Sequence, residues 1–329
     1  GRIPAAITSA LYITSSVHAI ELYYLGSVQQ LLATMFLSIS ILFFLKHLKE
    51  KNLNNYLISF LSFLLGLLSH EMAIVAPGVL FIVYFLHFHD KKSSFSSLFL
   101  MLIPFAIFSL LHFQFILGTS LPSQQAYIPS INLKSVVNNL AWYILWSFGL
   151  PESLVDFIGP GVQINMNFFK WFSSYSLIIF SFFILMIISL TSGFLLLKKN
   201  ISIIKTIFLF LSLFVISLSP FLFFPQHKFI YYLTFAIIWF CAVLSTILYS
   251  FFKSAKILQI LAVLIIFSYL LVSYQTVSFY KITYWAAKRA KAAEFILENL
   301  RKTYPSVKTG TVIYINDNPD YPEIAKEWG

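Results

Sequence analysis

The chain has 329 residues, of which 59% are hydrophobic and only 10% charged, and its mean hydropathy is +0.84. Soluble domains carry roughly a quarter charged residues, so this chain has too little polar surface to cover its Leu, Ile and Phe in water, and a water-soluble fold is excluded. The net charge of +10 does not point to nucleic acid, because the basic residues form short clusters between apolar runs, as the anchors of membrane helices do. The single cysteine, Cys241, excludes an intrachain disulfide framework and reads as a packing residue.

Apolar runs that span, or nearly span, roughly 30 Å of hydrocarbon recur along the chain. About nine are visible, at residues 4–20, 28–46, 55–69, 72–88, 95–117, 175–197, 202–223, 229–252 and 257–279. The third and fourth are short and separated by Ser69-His70-Glu71, which predicts a tight hairpin whose tip dips into the membrane. The opening Gly1-Arg2, with no Met, reads as a truncated start, with helices expected upstream.

The lysines give the orientation. One set of loops holds Arg2, Lys46, Lys49, Lys51, Lys91, Lys92, Lys198, Lys199, Lys205, Lys253 and Lys256, while the alternate loops hold only Lys134, Lys170 and Lys228 before the tail. Positive residues gather in the cytoplasm, so the first face is inside and the second outside. Glu50 and Asp90 fall inside, whereas Glu21, Glu71, Glu152 and Asp156 fall outside. Any acid chemistry of the membrane part is therefore expected at the outer face.

Residues 118–174 form the longest outer loop. Asn132 can cap a helix over 132–148 whose apolar stripe is Leu133, Val136, Val137, Leu140, Ala141, Ile144, Leu145 and Phe148, closed by Gly149 and Pro151. Trp142, Tyr143 and Trp146 lie off that stripe, which suits rings at the headgroup level and predicts a helix lying on the outer surface. An ordinary packed loop helix is the alternative. From Tyr280 the composition changes. Residues 285–302 read as a soluble helix, Thr311–Ile315 as a strand and Asn316–Pro319 as a turn, together a small outward α/β appendage. The expectation is an all-α polytopic membrane protein of about nine helices with its N-terminus inside and C-terminus outside. It has a membrane domain over 1–280 and a soluble tail over 281–329.

Ionisable groups at membrane depth are costly and need a reason. Three clusters stand out at outer helix ends: His18 with Glu21 on one helical face, Ser69-His70-Glu71 followed by Pro77, and Gln226-His227-Lys228 followed by Tyr231 and Tyr232. Such a set could bind a phosphate or pyrophosphate, and Glu21 or Glu71 could help hold a divalent cation such as Mg or Mn. The plainer readings are an interfacial hydrogen bond for His18 and Glu21, a structural turn for His70 and Glu71, and snorkelling groups for His227 and Lys228.

His18-x-x-Glu21, a long apolar run, and then Leu68-Ser69-His70-Glu71-Met72-Ala73-Ile74-Val75-Ala76-Pro77 resemble the polytopic GT-C glycosyltransferases, nearest to protein mannosyltransferases and bacterial lipid-linked sugar transferases. His227-Lys228-Phe229-Ile230-Tyr231-Tyr232-Leu233 is similar to a later outer-loop segment of that family. The layout covers most of residues 3–280, and the motifs are short. His70 stands where the family has Lys, and Ala19 where it has Pro. The family's catalytic acids sit in a first outer loop that would precede Gly1, so no catalytic residue is named.

The resemblance implies an inverting glycosyl transfer from a polyprenyl-phosphate sugar to a glycan, lipid or protein acceptor at the outer face of a bacterial plasma membrane. His70, His227 and Lys228 would face the phosphate, Tyr231 would line the site, and His18, Glu21 and Glu71 would orient neighbours or a metal. A lipid-linked sugar flippase would place polar groups at mid-bilayer and on both faces. A polysaccharide polymerase or ligase would need basic residues in its large loop, which here has only Lys134 and Lys170. A non-catalytic membrane subunit is the remaining alternative.

Overall fold

A computed structural model describes residues 1–88, 95–118, 128–159, 163–196 and 201–312. These form helices α1 (Arg2–Ile13), α2 (Ala19–Tyr23), α3 (Val28–Glu50), α4 (Leu53–Ser69), α5 (Ala76–Phe88), α6 (Phe95–Gly118), α7 (Leu133–Ser147), α8 (Asn167–Leu196), α9 (Ile201–Leu222), α10 (Leu233–Phe252), α11 (Lys256–Thr283) and α12 (Trp285–Thr303). The strands are two-residue β1 (Ile158–Gly159) and β2 (Gln163–Ile164), an antiparallel hairpin between α7 and α8.

The bundle is apolar outside as well as inside. Leu61 on α4, Leu110 on α6, Phe208 on α9 and Val263 on α11 are all exposed, as expected where the surrounding solvent is hydrocarbon. Six helical segments among the described residues are long and apolar enough to cross a membrane: Arg2–Glu21, Val28–Glu50, Ser173–Leu196, Ile201–Leu222, Ile230–Phe252 and Lys256–Thr283. Three shorter apolar helices, Leu53–Ser69, Glu71–Phe85 and Met101–Leu111, occupy the third, fourth and fifth expected runs. The chain is a helical, multi-pass membrane protein.

With no hydrophobic effect between helices in lipid, small residues and interhelical hydrogen bonds carry the packing. α3 and α4 pair through Ser59, whose hydroxyl donates to the Ser40 carbonyl at 2.7 Å. Gly66 lets α4 approach the turn at Glu71–Val75, where an added Cβ would stand 3.3 Å from the Ala73 side chain. α10 is tied to α9 by Trp239 Nε1 donating to Ser217 Oγ at 3.1 Å, and to α1 by Ser245 donating to the Pro4 carbonyl at 2.6 Å. α8 packs along α11.

Two expectations are corrected, at α7 and in the tail. α7 is a packed helix, the alternative to one lying on the surface: Asn139, Trp142, Tyr143, Trp146 and Ser147 are buried, while of the aliphatic stripe Leu133, Val137 and Ile144 are exposed and Val136, Leu140, Leu145 and Phe148 are partly buried against the core. The large rings of α7 pack against protein, and aliphatic residues can be left facing outward because lipid is as apolar as a core. Asn139 Nδ2 donates to the Leu222 carbonyl at the end of α9, 2.8 Å away. α8 begins at Asn167, where Asn165 Oδ1 accepts the Asn167 amide at 3.0 Å, and its apolar span starts at Ser173. In the tail, α12 matches the expected helix, but Thr311 and Val312 are not in a strand. The rest of that expected strand and turn lies outside the described residues.

Gly149 fixes the path of the chain beyond α7. Its φ of +94° suits glycine, and an added Cβ would meet Ser273 Oγ and Val272 Cγ1 at 3.2 Å. Its carbonyl accepts from Thr276 Oγ1 at 2.6 Å and from Ser16 Oγ at 3.4 Å, so one residue joins the loop to α11 and to the N-terminal segment. Gly149→Ala should cost about 1–3 kcal/mol through backbone strain alone. The expected outcome is a melting temperature in detergent several degrees lower, and an unchanged value would mean that this junction is loose.

Candidate functional site

Four 3₁₀ turns gather at one end of the bundle: Ser16–His18, Glu71–Val75, Glu152–Asp156 and Ile230–Tyr232. Three of them lead directly into helices α2, α5 and α10. Each expected cluster lies on or beside one of these turns, where backbone amides at helix starts need partners that lipid cannot supply. Pro77, early in α5, lacks the amide that would be orphaned there.

The first cluster is knit into the last of these turns. His18 Nδ1 lies 3.3 Å from Glu21 Oε2. The other carboxylate oxygen of Glu21 accepts from Thr234 Oγ1, and that hydroxyl is also 2.6 Å from the Tyr231 carbonyl. Tyr12 sets its ring edge-on to His18 at 4.5 Å and bonds the Thr234 carbonyl at 3.3 Å. Glu21 is only 3% exposed. One of its oxygens joins α2 to α10 through Thr234, and the other is held by His18 three residues before it.

His70 is a structural cap. Its Nδ1 accepts the Met72 amide at 3.1 Å, so the ring proton belongs on Nε2 and none is left for Glu71 Oε2, 3.5 Å from Nδ1. Nε2 faces the amide nitrogen of Gln30 at 3.2 Å, and Gln30 Oε1 is buried without a hydrogen bond. Turning the amide over lets Oε1 accept from His70 Nε2 and resolves both problems at once. Sequence reasoning missed Gln30, because a single amide 40 residues away carries no signal of its partner.

His227 and Lys228 precede the last turn, Ile230–Tyr232. The His227 ring stands 5.8 Å from Tyr232, and His70 stands 6.4 Å from the same ring. Phe221 stacks on Tyr232 at 3.9 Å, and Phe229 stacks on Tyr231 at 5.1 Å. Burial holds the His227 imidazole below its ordinary range, with the Glu71 carboxylate acting in the opposite sense, and burial likewise lowers the pKa of Lys228. Among the described residues Lys228 forms no ion pair with an acid.

All seven expected residues, His18, Glu21, His70, Glu71, His227, Lys228 and Tyr231, thus lie around the turn Ile230–Tyr232. Glu21 and Glu71 do not converge on a shared metal position. Glu21 has both oxygens engaged, and no group of three metal-ligating side chains occurs among the described residues. These residues do not fit a divalent cation held by protein ligands alone, and no step is derived through one.

A fourth member was legible only as an outer-face acid. Glu152 opens the turn after Gly149-Leu150-Pro151, and its own amide donates to the Tyr280 hydroxyl at 2.7 Å. The Ile230 amide supports its carboxyl, but burial dominates and Asp156 adds repulsion, so the pKa is pushed up to about 8. The hint in the sequence is an acid flanked by Leu150, Leu154 and Val155, a hydrophobic setting for a charge. The opposite end of the bundle holds a cavity of about 1100 Å³ lined by Pro4, Phe210, Tyr249, Lys253 and Leu258, which contains no acid.

A carboxyl whose proton is held more tightly in the folded than in the unfolded protein favours folding most at low pH. For Glu152 that contribution is complete below about 4.5 and is lost as pH rises to about 8. Glu152→Gln removes the titration and keeps the shape. The melting temperature of the parent protein should therefore fall relative to the variant across this window, and parallel pH profiles would show an ordinary, solvated carboxylate.

Comparison with known proteins gives no match to a family model, a curated protein or a solved structure.

Proposed function

We propose that the chain is a membrane glycosyltransferase that moves a sugar from a polyprenyl-phosphate donor to an acceptor at the outer face of the plasma membrane. The observation that supports it is convergence. Three motifs far apart in sequence meet around Ile230–Tyr232, with Thr234 bonded to Glu21 and with the rings of His70 and His227 6.4 and 5.8 Å from that of Tyr232. In this reading the three shorter apolar helices also cross or enter the membrane. About nine segments then put the lysine-poor face, and this cluster, outside.

The phosphate falls to Lys228 and His227. Both are half-buried, and burial disfavours the charge on each. An anion brought alongside restores what burial removes. His70 is reassigned from phosphate ligand to support, because both of its ring nitrogens are used within the protein. In the transfer, the acceptor oxygen forms a bond to the anomeric carbon as the bond from that carbon to the phosphate oxygen breaks. The acceptor proton passes to a carboxylate base, and the phosphate departs with its charge met by Lys228 and His227.

A charge-assisted contact is worth roughly 1.5–3 kcal/mol, so Lys228→Ala should weaken donor binding about ten- to a hundredfold. The melting temperature should stay near that of the parent protein, since Lys228 is paired with no acid among the described residues. Titration of polyprenyl-phosphate sugars into the chain in nanodiscs measures this, and an unchanged affinity refutes the assignment.

A further inference from the structure

Beside the cationic segment lies a second set of polar groups to which the donor phosphate reading gives no role. Glu152 Oε2 is buried and makes no hydrogen bond. The Tyr143 side chain is fully buried; the Phe229 backbone amide supports its hydroxyl oxygen, and the phenol's own hydrogen has no acceptor. Tyr143 interacts electrostatically with both Glu152 and Tyr231. Tyr284 does the same from beyond the end of α11. The backbone segment Phe229–Ile230, directly after His227 and Lys228, therefore has the cations at its start and this carboxyl and phenol cluster against it.

We propose that the Glu152 carboxyl and the Tyr143 hydroxyl, with the Tyr231 ring alongside, form a subsite for the hydroxyls of a sugar. The inference rests on the transfer reading, which it deepens by giving the sugar and the phosphate of one donor adjacent but separate partners.

Buried polar atoms without partners are costly in a folded protein, and atoms kept that way mark a place where a ligand completes the bonding. The groups present suit a neutral polyol. A protonated carboxyl and a phenol each donate one hydrogen and accept others. The stacked rings of Phe229 and Tyr231, 5.1 Å apart, form the apolar side of this region. A protonated Glu152 also adds no repulsion toward the donor's phosphate, and its pKa of about 8 keeps it so at neutral pH. The ionisable groups in electrostatic contact with this carboxyl are Asp156 on its own turn, Tyr143 on α7, Tyr280 on α11 and Tyr284 beyond it.

The test compares binding of polyprenyl phosphate without sugar against polyprenyl-phosphate mannose, glucose and galactose, using the full chain in nanodiscs. The parent protein should prefer at least one sugar-bearing lipid by about tenfold, the scale of one or two hydrogen bonds. Glu152→Ala should reduce that lipid to the affinity of the sugar-free one, while Glu152→Gln, which supplies an N–H at the same place, should retain most of the preference. Should Glu152→Ala fail to fold, Tyr143→Phe removes one hydroxyl only and should lower the preference in the same way. Equal binding of all four lipids by the parent protein, or a preference that survives both variants, overturns the subsite and leaves the phosphate assignment standing. Failure of every lipid to bind overturns the donor reading and the subsite together.

Discussion

A carboxylate inside an apolar bundle has to be met by donors, and the way Glu21 is met determines the rest of the candidate site. One oxygen takes the Thr234 hydroxyl and the other lies against His18. Thr234 belongs to the first turn of α10, so this contact draws the N-terminal segment onto the Ile230–Tyr232 turn, 213 residues further along the chain. Tyr12 repeats the link at the Thr234 carbonyl. Without water at this depth, breaking either contact would leave a buried polar group without a partner. The same need for partners places the His70 cap on Met72 and Gln30, and the Asn139 amide on the last carbonyl of α9.

Helix starts explain why chemistry collects at this end. A 3₁₀ turn before a helix presents amides and side chains together, and three of the four turns here open α2, α5 and α10. The result is a graded set of proton states within one small region. Lys228 and His227 are held toward their neutral forms, and Glu152 is held toward its protonated one. Such a set responds strongly to an arriving anion, because the anion changes which forms are favoured.

Much of this was legible in the sequence. Apolar runs mark the helices because hydrocarbon demands a fixed length, and the three polar clusters stand out because charges there are rare. What was hidden depended on partners remote in sequence. Trp142, Tyr143 and Trp146 looked like interface rings, yet they are buried, since periodicity locates a stripe but cannot say which face meets protein when lipid is as apolar as a core. His70 looked like a ligand until Gln30 and Met72 accounted for both nitrogens. Glu152 looked like any loop acid, because its burial comes from α7, α11 and the Ile230 segment together.

The most direct test of a donor site at this end is photo-labelling with a polyprenyl phosphate bearing a photoreactive group near the phosphate, followed by peptide mapping. Label is expected on the segment around Gln226–Tyr232, with no enrichment at the opposite end. Label confined to the groove lined by Phe210, Tyr249 and Lys253 would contradict the account and make that opposite end the lipid-binding one.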